Sequence, residues 1–103
     1  MHLISLGPPW QIVPSAGGTH TTHSRKFGRP RALDPHERVR LVCEVVPGPA
    51  VVRLNGAEIG APGAPGGFEA DVTAALQARN EVTFDVGSAA PLGPVRLEIR
   101  AGT

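Results

Sequence analysis

Tyrosine is absent from the chain, tryptophan occurs once and phenylalanine three times in 103 residues. A surface that stacks sugars or nucleobases on a row of rings is therefore excluded, and at most one or two ring platforms can exist. Cysteine also occurs once, as Cys43, so no internal disulfide framework can form. It lies inside the apolar run RLVCEVV and is read as a small buried hydrophobe rather than a reactive thiol. Charge of one sign is lacking too: the formal net charge is +1, which gives no general case for nucleic acid or an acidic membrane. No apolar run approaches the length of a membrane span. The start MHLISLGPPW has neither the basic region nor the apolar stretch of a signal peptide. As written, the chain is expected to be soluble and cytoplasmic, unless it is a piece of a longer secreted protein.

Glycine and proline, by contrast, are plentiful at 13 and 11 residues, and apolar residues make up 41%. A chain of this length forms a single domain, here residues 1–103, with one core joined by tight turns. The second half alternates with period two. Val39, Leu41, Cys43 and Val45 fall on one face of RVRLVCEVV, opposite Arg38, Arg40 and Glu44. Ala50, Val52 and Leu54 alternate in AVVRLNG, Phe68, Ala70 and Val72 in FEADV, Val82, Phe84 and Val86 in NEVTFDV, and Val95, Leu97 and Ile99 in VRLEIR. Such repetition predicts antiparallel strands with one dry face each. The predicted core is Val39, Leu41, Cys43, Val52, Leu54, Phe68, Val72, Leu76, Val82, Phe84, Leu97 and Ile99. Asp71 or Thr73 could cap one or two helical turns ending near Arg79.

The first third is broken by prolines. LISLG and WQIV read as short strands, SAGGTHT as a loop, and Arg25 to Gly28 as an edge strand running into a turn. GAPGAPGG is a surface connection that offers only backbone groups. About eight strands in a chain of this size predict an all-β, two-sheet antiparallel sandwich, with the jelly roll as the leading topology.

Several residue groups carry possible chemistry. His20 and His23 in GTHTTHS would point to opposite faces of a strand, and no cysteine or nearby carboxylate completes a metal set. They are read as solvated loop histidines, His2 and His36 as isolated and exposed, and no metal or cofactor is expected. RKFGRPR holds Arg25, Lys26, Arg29 and Arg31 around Phe27 and is read as a solvated basic edge rather than a phosphate or nucleic-acid patch. There is no G-x-S-x-G elbow. The acids lie on the wet faces of the strands, where Arg53, Arg96 and Arg100 can pair with them. No catalytic constellation emerges, and the chain is read as a non-enzyme.

In order and spacing, HSRKFGRPRALDPHERVRLVCEVVPGPAVVRLNGAEIG followed by FEADVTAALQARNEVTFDV resembles the sugar-binding jelly-roll domain of glycoside hydrolase family 2, within the galactose-binding-domain-like superfamily. The matching positions include Arg25, Phe27, Pro30, Asn55, Gly56, Gly60, Phe68, Asp71, Thr73, Asn80 and Val82, with Trp10 at the start. The resemblance implies a non-catalytic carbohydrate-binding or accessory module, whose partner is a carbohydrate or another protein domain. The alternative is a structural or interaction domain with no small-molecule ligand. If a polyol binds, the expected site is built from His23 and Arg25 as donors, Trp10 as the stacking partner, and Arg53 with Asn55 on the hairpin.

Overall fold

The computed structural model describes residues 2–30 and 32–101, so Arg31 lies outside the described residues. It is a β-sandwich of two antiparallel sheets. In chain order the strands are β1 (His2–Ser5), β2 (Gln11–Pro14), β3 (Thr21–Gly28), β4 (Glu37–Val46), β5 (Ala50–Leu54), β6 (Ala57–Gly60), β7 (Gly66–Asp71), β8 (Arg79–Val86) and β9 (Val95–Ala101). One sheet has the order β1-β9-β4-β7 and the other β2-β3-β8-β5-β6. Among the described residues the only helical element is a 3-10 turn, Thr73–Ala75.

The core forms where the alternating faces meet. Val39, Leu41 and Cys43 of β4 and Leu97 and Ile99 of β9 face Val52, Leu54, Val82 and Phe84 of the other sheet, all at most 1% exposed. Phe84 takes Trp10 at a ring-centroid distance of 6.1 Å and Phe68 edge-on at 6.2 Å. Burial pushes the Cys43 thiol up to about 11, as befits a thiol packed as a hydrophobe.

Asn55 and Gly56 turn the β5–β6 hairpin with φ of 54° and 85°, the left-handed pair that a tight two-residue turn needs. The Asn55 side chain then ties the turn to β8. Its Nδ2 donates to Asn80 Oδ1 at 3.0 Å, and its Oδ1 accepts from the Glu81 amide at 2.9 Å. Asn80 in turn accepts from the Gln77 amide at 2.8 Å and donates to the Gln77 carbonyl at 2.9 Å.

Five expectations are corrected. The helical stretch stops at Ala75: Leu76 is already extended, and the Asn80–Gln77 bonds close a turn where a helix would continue. Val45 is 51% exposed and Val46 fully buried, because a bulge between Cys43 and Val46 shifts the alternation by one. Phe68 is only half-buried, since β7 is a sheet edge; its ring covers Gly60, where a Cβ would collide with it. The strand read as Arg25 to Gly28 starts earlier, at Thr21; β2 flanks only Thr21–Ser24, so the Arg25–Gly28 half, paired to β8 alone, is the edge that was expected. His23, read as a solvated loop residue, is 3% exposed on that strand, on the same face as Phe84 opposite it.

The wet faces carry the anticipated ion pairs. Arg53 meets Asp85 at 3.3 Å, Arg96 meets Glu44 at 3.2 Å, and Arg100 meets Glu69 at 3.5 Å. Exposed pairs of this kind contribute about 0–1 kcal/mol each. Glu98 differs, being 4% exposed and held between Arg96 and Arg100 on its own strand. Hydrogen bonds from Arg100 and Arg96 hold its carboxyl below the usual range despite burial.

Burial of His23 sets a pH dependence. Desolvation lowers its pKa below the ordinary 6.5. Above that pH neither folded nor unfolded chain binds the proton. As pH falls through 6.5 the unfolded chain takes it up and the folded chain does not, so stability is lost toward the folded-state pKa. Asp71 acts in a separate, more acidic window. Desolvation raises its pKa, but hydrogen bonds from the Thr73 amide, Arg38 and the Thr73 hydroxyl outweigh this and bring it to about 2. Between pH 7 and 5, thermal melting is therefore expected to show a decline that His23→Phe flattens; equal declines in both proteins would contradict the burial of a neutral imidazole.

Candidate functional site

The five residues named from sequence do not form one site. Arg53 pairs with Asp85, and Asn55 is consumed by the hairpin and Asn80. Arg25 lies opposite Val82, and its Nε donates to the Gly7 carbonyl at 2.6 Å while a terminal nitrogen donates to the Lys26 carbonyl. It anchors the segment between β1 and β2, where the chain passes from one sheet to the other. Trp10, in the same segment, donates Nε1–H to the Leu6 carbonyl at 2.9 Å and leans on Phe84. His23 faces inward.

The register nevertheless gathers a different set beside Trp10 and Arg25. Gln11 pairs with Ser24, and Lys26 pairs with Glu81, so these four side chains share the outer face of β2, β3 and β8. With Pro9, Trp10 and Arg25 they line an open depression of about 430 Å³. The Gln11 amide, Ser24 hydroxyl, Lys26 ammonium and Glu81 carboxylate make no side-chain hydrogen bond to any other described residue. A second depression of about 650 Å³ shares Lys26 and Glu81 and runs on past Phe27, Asn55 and Arg79. Trp10, Arg25 and Asn55 are thus strung along one groove, while His23 and Arg53 stand outside it.

Chemically the first depression offers an amide, a hydroxyl, two cations, Arg25 and Lys26, and one anion, Glu81, beside an indole. Glu81 facing Lys26 offsets one of the two positive charges, and the side chains left free can both donate to and accept from the hydroxyls of a polyol. The nucleophile, base and orienting group of a hydrolytic centre are not assembled there. Gln11, Ser24 and Glu81 escaped sequence reasoning because their proximity depends on strand pairing; the local signal was the alternation of Ser24 and Lys26 with His23 and Arg25.

No family model and no curated protein matches the chain, but solved structures do. An FMN-binding β-glucuronidase from Facaelibacterium prausnitzii L2-6 superposes with a TM-score of 0.78 at 20% identity over 93% of this chain and 22% of its own. A β-glucuronidase from an uncultured Clostridium sp. matches 82% of this chain at 27% identity and a TM-score of 0.66, over 19% of its own length. Bifidobacterium dentium β-glucuronidase, complexed with coumarin-3-O-glucuronide, matches 65% at 35% identity and a TM-score of 0.58, over 11% of its length. The chain thus spans between a tenth and a quarter of these glycosidases.

Proposed function

We propose that the chain is a non-catalytic jelly-roll module of the galactose-binding-domain-like kind, which binds carbohydrate beside a glycoside hydrolase catalytic unit. The observation that carries the reading is the cluster of four unpartnered polar side chains, Gln11, Ser24, Lys26 and Glu81, next to the Trp10 indole. The likeness to small parts of glycosidases supports the accessory role. Hydroxyl groups of a pyranose can both donate to Glu81 and accept from Lys26 and Gln11, and the indole supplies a flat apolar margin.

A second reading, an interaction domain without a small ligand, is favoured by one observation. Leu3, Ile12, Val13 and Val45 are exposed along strand edges and the bulge, where another domain could cover them. Titration separates the two. Methyl galactoside or methyl glucoside is expected to change Trp10 fluorescence, and Gln11→Ala with Lys26→Ala to abolish the change while leaving the melting temperature within a few degrees. A response that survives the double substitution would show that sugar binds outside this groove, and no response with any sugar would favour the interaction domain. Turnover of nitrophenyl glycosides that a single carboxylate substitution removes would overturn the non-catalytic role.

A further inference from the structure

On the other side of Trp10 lies a narrower slot of about 360 Å³, bounded by Pro9, Trp10, Ile12, Pro91 and Leu92, with His23 in its wall. His23 is the one polar side chain lining it apart from the indole N–H, which Leu6 already holds. His23 is 97% buried, and its Nε2, fully enclosed, has no hydrogen-bond partner among the described residues. Buried polar groups are nearly always satisfied, so an unpaired imidazole in the wall of a slot calls for an occupant. Among the side chains lining the slot only His23 has a free polar atom, so a side-chain hydrogen bond to an occupant falls on the imidazole.

We infer that this slot is a second ligand site, separate from the polar groove, and that it takes a small uncharged molecule with a flat apolar body and one hydroxyl, a phenol being the simplest. Charge is disfavoured because no lining residue carries a counter-charge, and an ion there would be desolvated unpaired. A neutral imidazole presents one donor and one acceptor nitrogen, and a hydroxyl satisfies whichever of them it meets. The proline rings, indole and Leu92 match a flat hydrocarbon face, and the volume lies near the lower end for small-molecule sites. Ile12, opposite His23 in register and largely exposed, forms the outer lip that must yield for the hydroxyl to reach the ring.

The test compares p-cresol with toluene, which differ only in the hydroxyl, on the intact chain at pH 7.5. p-Cresol is expected to shift the imidazole nitrogen resonances of His23 and the indole resonance of Trp10, and to bind about tenfold more tightly than toluene, the worth of one buried hydrogen bond. His23→Phe should bring the two ligands to equal affinity, and Leu92→Trp, which adds bulk to the slot wall while keeping the imidazole, should abolish binding of both. Equal affinities in the unaltered protein, or p-cresol binding that leaves the His23 resonances unmoved, would overturn the assignment whether or not the variants fold. Sugar titration of the polar groove is read through Gln11 and Lys26, so failure of either site leaves the other distinguishable.

Discussion

Phe84→Ala is expected to destabilise the chain by about 3–5 kcal/mol, a large share of the 5–15 kcal/mol typical of a whole domain. Phe84 is fully buried at the centre of β8, with β3 on one side and β5 on the other. Its ring is where Trp10, from the segment between β1 and β2, and Phe68, from the opposite sheet, converge. Truncation to Ala leaves a cavity walled by three separate strands and a linker, which cannot collapse together without disturbing two sheets. Urea denaturation checks this by the midpoint at constant slope. Phe68→Ala, at a half-buried edge position, should cost clearly less; equal losses would mean that the two rings share the core evenly and that the assigned burial is wrong.

Asn80→Ala should have the next largest effect, about 2–3 kcal/mol. Asn80 is 4% exposed, and its amide serves three groups at once: the Gln77 amide, the Gln77 carbonyl and the Asn55 side chain. Removing it also frees the Asn55 side chain that holds the hairpin to β8. Asn80→Asp retains acceptors for Gln77 and Asn55 but loses the donor to the Gln77 carbonyl, so it should fall between Ala and the unaltered chain. A loss below about 1 kcal/mol for Asn80→Ala would show that water replaces these bonds freely, and would remove the physical reason for the turn's stopping the helix.

What was legible in the sequence follows from range. A strand with one dry face announces itself within five residues, and so Val52, Leu54, Val82, Phe84, Leu97 and Ile99 could be placed inside from alternation alone. The Asn-Gly hairpin was equally local. The bulge was not: RLVCEVV keeps its apolar character through Val45 and Val46, and only pairing with β7 decides which of them turns inward. His23 was misread for the same reason. THTTHS looks like a polar loop until β8 supplies a partner whose Phe84 sets the inward face. Glu98 has the parity of a wet face, and its burial comes from the flanking arginines folding over it. Of the expected ligand residues, Trp10 and Arg25 border the polar groove because the β1–β2 segment lies beside it, whereas Arg25 and Asn55 have hydrogen-bonding capacity already spent on backbone and turn. The groove itself joins Gln11 to Glu81 across three strands, a proximity that no local pattern encodes.

The proposal that this sandwich is a carbohydrate-binding accessory module stands or falls most directly on amide and indole chemical-shift mapping during titration with methyl galactoside and methyl glucoside, carried well into the millimolar range. The expected result is a set of saturable shifts at Gln11, Ser24, Lys26 and Glu81 with the Trp10 indole, tapering along the groove toward Asn55 and Arg79, while the four-stranded sheet stays unmoved. A spectrum unchanged by either sugar, or shifts confined to the arginine-rich face of β4 and β9, would contradict it.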